Sequence, residues 1–94
     1  MPNTRSAAKA MRQAERRRLR NKSTRSAVRT FIRKAERSIA AGLLDEARAL
    51  VVQAQKALDK AAEKGIIHPN NAARRKSRLM QKLNRSLQAA AAAP

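Results

Sequence analysis

The apolar positions of this chain follow three successive patterns, and each pattern marks an element. On a wheel of about 100° per residue centred on Val28, the residues Val28, Phe31, Ile32, Ala35 and Ile39 fall within about 60° of one direction. Arg29, Arg33, Lys34 and Arg37 occupy the far side, between about 100° and 240°. That is an amphipathic helix with a core to cover. Upstream the stripe vanishes, and only Met11 and Leu19 are bulky and apolar, yet no Pro or Gly interrupts the chain as far back as Asn3. The pattern predicts one first helix over about residues 4–41, roughly 57 Å long at the standard rise. Asn3, Thr4 or Ser6 can cap its start, and Gly42 can close its end in the left-handed conformation.

A second stripe, with spacings of three and four, is made by Leu43 or Leu44, Ala47, Leu50, Val51, Ala54, Leu58 and Ala61. It predicts a helix over about 43–64. Asp45 and Glu46 suit the positive end of its dipole, and Gly65 suits the residue just past its end. Residues 66–71 form a connector in which Ile66 and Ile67 pin the turn to the core. Pro69 disfavours helix at His68, and Asn70 or Asn71 can cap the next helix. Leu79, Leu83 and Leu87, with Ala72, Ala73 and Met80 nearby, predict that third helix over about 70–88. The alanine-rich tail 89–94 is low complexity and can extend it through intrinsic propensity. Three helices joined by short connections, each with one apolar stripe, give an all-α fold, an antiparallel three-helix bundle. The residues before about Arg25 project beyond it as a spike. Strands have no support.

Charge changes the picture. Across 94 residues, room for one small domain, 23 Lys plus Arg stand against 6 Asp plus Glu, a net +17. Residues 1–37 carry +11, residues 43–64 are neutral, and residues 66–94 carry +6. Arg5, Lys9, Arg12, Arg16, Arg17, Arg18, Arg20, Lys22 and Arg25 point nearly all round the wheel of the spike. Like charges three and four apart repel, so this rod calls for an anionic surround. The neutral second helix reads as the scaffold side that faces away from the polyanion. There is no Cys, hence no disulfide framework or thiolate metal site. No apolar run approaches the roughly 20 residues that cross a bilayer, and no signal-peptide h-region is present. The first dozen residues have a transit-peptide composition, but the same charge pattern continues without a break to Arg37, which assigns them to the mature helix.

Candidate chemistry is sparse. His68 is the sole histidine and has no second ligand beside it, so it reads as a turn or capping residue, or as an RNA-contacting group. The acidic residues of the second helix are explained by the dipole and by pairing with Lys56, Lys60 or Lys64. Gly42 and Gly65 form no phosphate-binding loop. No enzyme, metal, cofactor or small-molecule substrate is expected. Phe31, the single aromatic, belongs to the core stripe, so recognition of single-stranded bases by stacking is disfavoured. Phosphates, sugars and shape remain, with Asn3, Ser6, Asn21, Ser23, Ser26 and Ser77 as short donors among the basic side chains.

Four blocks carry a resemblance: Asn3 to Lys9, Glu15 to Lys22, Lys64 to His68, and Asn70 with Ala72 to Leu79. In this order and spacing the chain resembles, from residue 3 to about Asn84, the family of the twentieth protein of the bacterial small ribosomal subunit. The resemblance implies a three-helix bundle at the bottom of the subunit body and a cytoplasmic, ribosome-bound protein without catalysis. It further implies early, direct binding to 16S ribosomal RNA, at its 5′ domain and its long penultimate stem. Carried over by position, the RNA-facing residues are Asn3, Arg5, Ser6, Lys9, Arg12, Arg16, Arg17, Arg20, Asn21, Lys22, Arg25, Arg74, Arg75, Lys76, Ser77 and Arg78. Pro2 stands where the family usually has Ala, Arg5 where it often has Lys, and the alanine tail is extra. Composition alone also permits two other classes, a chromatin-type nucleic-acid compactor and a membrane-surface amphipathic helix. The second is disfavoured because the spike lacks a broad apolar face.

Overall fold

Thr4 sets the start of the first helix. Its backbone is extended, and its side-chain hydroxyl oxygen accepts the Ala7 N–H at 3.1 Å, satisfying one of the orphan donors of the first turn. From there α1 runs unbroken over Arg5–Ala40. A computed structural model of the chain describes residues 4–92, and Asn3, expected as an alternative cap and as an RNA contact, lies outside the described residues.

The end of α1 is a Schellman motif. Gly42 has φ 76°, its N–H donates to the Ile39 carbonyl at 3.1 Å, and the Leu43 N–H donates to the Ser38 carbonyl at 3.0 Å. The same motif closes α2 (Leu44–Glu63): Gly65, also at φ 76°, donates to the Ala62 carbonyl at 3.0 Å, and Ile66 to the Ala61 carbonyl at 2.9 Å. An L side chain at either position would hold a left-handed conformation at about 1–2 kcal/mol. The chain's two glycines therefore stand at its two reversals. α3 spans Pro69–Ala92, longer at both ends than expected. Pro69 takes the first helical position, where its missing N–H costs nothing. The alanine tail continues the helix through Ala92.

The three helices form the expected all-α bundle, with α2 between α1 and α3 and the smallest helix–helix contact between α1 and α3. Ala47, Val51, Ala54, Leu58 and Ala61 of α2 alternate by four and three, and none is more than 1% exposed. Alanine at every heptad-like step keeps this seam thin, so both neighbouring helices can come close. One core cluster joins Ala35, Ala47, Val51, Ala54, Leu79 and Leu83. The other joins Val28, Leu58, Ala61, Ile67 and Ala72, and Ile32 packs against both. Ile67 is buried and Ile66 half-buried, so the connector is pinned as expected. Of the two leucines offered for the start of the α2 stripe, Leu43 is exposed and Leu44 half-buried. Two details differ: Ala73 is exposed, leaving Ala72 to the core, and Ser38 is buried beside the apolar stripe of α1. Ion pairs from Lys82 to Glu36 and from Lys76 to Asp59, each 2.7 Å, tie α3 to α1 and to α2. Both are solvated and add little stability, on the order of 0–1 kcal/mol each.

Candidate nucleic-acid interface

The molecule measures 72 × 22 × 16 Å, and α1, about 54 Å long at the standard rise, makes the larger part of its length. Every residue from Lys9 through Arg20 is exposed, Met11 and Leu19 included. Arg5 to Arg20 thus makes a bare helical spike of about 24 Å. It needs no separate nucleation, because it continues a helix whose other half is held in the core.

The charges on the spike are not evenly placed. Arg5, Lys9, Arg12, Arg16 and Arg20 follow one another at steps of four and three and lie within about 80° of one another, forming one stripe. Arg16, Arg17 and Arg20 surround a shallow indentation with Gln13. Arg17 and Arg20 also line a notch against the end of α2, together with Asn21, Thr24 and Lys64. Lys22 lies on another face, beside Leu19, Ser23 and Ser26. Ser6 is exposed in the first turn. Glu15 is the sole acidic residue of the spike, and it is paired. The Arg18 guanidinium donates to it twice, at 2.6 and 3.1 Å. That hydrogen bonding, and secondarily the opposite charge of the partner in each case, lowers the Glu15 pKa and raises that of Arg18.

At the base of the spike α1 meets the connector. Arg25 donates to the Ile66 carbonyl at a long 3.4 Å, and Arg25, Arg29 and Arg75 line one recess with His68 and Asn71. His68 caps α3. Its Nδ1 accepts the Asn70 N–H at 3.1 Å, and its carbonyl accepts the Ala72 N–H at 3.1 Å. The cap is therefore His68, not Asn70 or Asn71, because helix begins already at Pro69.

The basic run of α3 divides by face. Arg74 and Arg78, four apart, are exposed, and Arg74 donates to the Asn71 side-chain oxygen at 3.2 Å. Ser77 is exposed as well. Arg75 turns to the recess, whereas Lys76 is half-buried and bonded to Asp59 of α2. Nine of the sixteen expected residues thus fall into a stripe along the spike, a recess at its base and the exposed pair on α3, whereas Lys22 lies on another face and Lys76 is held by Asp59. Sequence reasoning left Arg29, Lys64 and Asn71 out of this constellation and gave His68 no partners. Arg29 sits at the flank of its wheel, and Lys64 closes a neutral helix, so neither carried a distinguishing signal. Among the described residues no helix is long and apolar enough to cross a membrane, and no three of His, Cys, Asp and Glu gather to hold a metal ion.

An all-helical bundle with a bare cationic spike defines the class, a small structural protein built around a basic surface. The family model described as Ribosomal protein S20 matches residues 2–84. The chain is 57% identical over 86 residues to the small ribosomal subunit protein bS20 of Dehalococcoides mccartyi, covering 92% of this chain and 98% of that one. It is 58% identical over 84 residues to bS20 of Thermomicrobium roseum, covering 89% and 85%. Against bS20 of Listeria monocytogenes the identity is 54% over 83 residues, covering 88% and 98%. The chain belongs to the ribosomal protein S20 family.

Proposed function

We propose that this chain is a structural constituent of the small ribosomal subunit that binds 16S ribosomal RNA directly and supports assembly of the subunit. The bare spike carries this reading. Every residue from Lys9 through Arg20 is exposed, and among the described residues the spike's one carboxylate answers one of its guanidiniums. Neighbours such as Arg12 and Arg16, or Arg16 and Arg20, each disfavour the helix by about 0.2–0.5 kcal/mol until an anion neutralises them. Folded RNA supplies that anion through its phosphate backbone. The residues assigned to RNA are Asn3, Arg5, Ser6, Lys9, Arg12, Arg16, Arg17, Arg20, Asn21, Lys22 and Arg25 on the spike side. On α3 they are Arg74, Arg75, Lys76, Ser77 and Arg78, Lys76 reaching RNA only by leaving or sharing Asp59.

The contacts are to phosphate, sugar and shape, in the 5′ domain and along the long penultimate stem. The protein works in the cytoplasm, on the ribosome, with no catalytic step, cofactor or membrane in its action. Neutralising roughly 6–10 phosphates makes affinity fall by about a thousandfold or more between 50 and 200 mM salt. The test is co-sedimentation of the tagged chain with the small subunit, joined to a competition between folded 16S transcript and duplex DNA. Preference for the transcript is the expected result. Equal affinity for duplex DNA would replace this reading with a compactor, and tight binding to anionic vesicles at physiological salt with a membrane-surface helix.

A further inference from the structure

Three arginines line one recess where α1 enters the bundle. Arg25 and Arg29 come from adjacent turns of α1, and Arg75 comes from the second turn of α3. Among the described residues no carboxylate pairs with any of them, whereas Arg18, Lys76 and Lys82 each have one. The recess is also lined by Ile66 and Ile67, and Arg75 is half-buried. Charges beside apolar surface are screened less than charges in open water, so like charges lining one recess disfavour one another. An anion reverses the sign of that energy. The start of α3 adds to the same field. His68 takes the Asn70 N–H and the Ala72 N–H, which leaves the Asn71 N–H as a first-turn donor at the positive end of a 24-residue helix.

We propose that this recess is a phosphate seat, holding one backbone phosphate of the RNA between Arg25, Arg29 and Arg75. The proposal rests on the ribosomal-RNA reading and deepens it by naming a point contact and its consequence. A phosphodiester presents two free oxygens, enough for forked donation from two guanidiniums and a single bond from the third. The seated phosphate bridges α1 and α3, the two helices that touch each other least. Binding there fastens the base of the spike to the bundle, so the spike's direction is fixed by the ligand as well as by the core.

The experiment has two arms. In the first, the full chain without RNA is melted in inorganic pyrophosphate and in chloride of matched ionic strength. Pyrophosphate should raise the melting temperature of the wild type, and the rise should disappear in Arg29→Gln and in Arg75→Gln but persist in Lys56→Gln on the outer face of α2. Arg29 is exposed, so its substitution leaves the core intact. An equal rise in all three variants means non-specific screening and overturns the seat. In the second arm, Arg29→Gln and Arg75→Gln should each weaken binding to folded 16S transcript roughly tenfold and lower the salt slope by about one. Unchanged affinity and slope in both variants, with the wild type bound normally, overturns the seat and leaves the RNA reading standing. Failure of the wild type itself to bind transcript sinks the RNA reading, and the pyrophosphate arm then decides whether the recess takes phosphate at all.

Discussion

The stripe of Arg12, Arg16 and Arg20 offers a quantitative check, because its members are exposed and none touches the core. Replacing all three by Gln keeps side-chain length and removes three charges. If each guanidinium meets one phosphate of a duplex, the slope of log K against log salt becomes shallower by roughly 2–3. Counted down from 1 M, where counterion release contributes nothing, the triple variant should bind about 500-fold more weakly at 0.1 M salt. The deficit itself should shrink about sixfold for each doubling of salt. That shrinkage separates lost phosphate contacts from a misfolded protein, whose deficit would be the same at every concentration. Filter binding to folded 16S transcript across a salt series measures it, and thermal melting of the free protein should show no change in the bundle. A deficit that stays constant with salt, or an unaltered slope, would refute the assignment of this stripe to the RNA backbone.

Further outcomes are expected at Glu15, in the core and at the base of the spike. Glu15→Gln should strengthen RNA binding at low salt, since it frees Arg18 and removes the spike's one negative charge. Because pairing lowers the Glu15 pKa, its support of the helix is complete above the ordinary carboxylate range and lost as pH falls through the lowered value. Far-UV circular dichroism should therefore show a small acid-induced loss of helix in the wild type that is reduced in Glu15→Gln. Leu58→Ala should destabilise the bundle by about 2–5 kcal/mol in urea unfolding, since Leu58 is 0% exposed in the second core cluster. The same change at Leu19, 52% exposed on the spike, should stay within about 0.5 kcal/mol. A single alanine inserted after Lys22 turns the whole spike by about 100° relative to the bundle. Charge and composition are kept, yet affinity in the same filter-binding assay should drop well below that of the wild type.

Where local pattern sets an element, the sequence was readable. The four-and-three alternation from Ala47 to Ala61 is a property of neighbouring residues, and each of those side chains is buried. Gly42 and Gly65 were legible for the same reason, since a helix that must stop needs a left-handed residue nearby. The alanine tail was ambiguous because alanine supplies propensity without an apolar stripe to give it direction. The candidate surface was legible in charge but not in orientation. Lys76 stands in an unbroken basic run, while the carboxylate that holds it is 17 positions away in α2. Arg29 and Arg75 become neighbours only because the connector folds back, which no spacing within either helix reveals.

The thin core and the bare spike are parts of one design. An isolated helix of about 16 residues crowded with like charges would be marginal at best, since nucleation is unfavourable and repulsion adds to it. α1 avoids the nucleation term, because residues 28–39 are already helical against α2 and α3. Helical continuity then does a second thing. The buried positions of Val28 and Ala35 set the phase of every residue upstream, so the direction of the Arg5–Arg20 stripe is fixed by packing some distance away. A flexible basic tail of the same composition would deliver the same charge but would have to find its register on the RNA and bear the ordering entropy when it did. In this protein the small aliphatic core determines where the charge points.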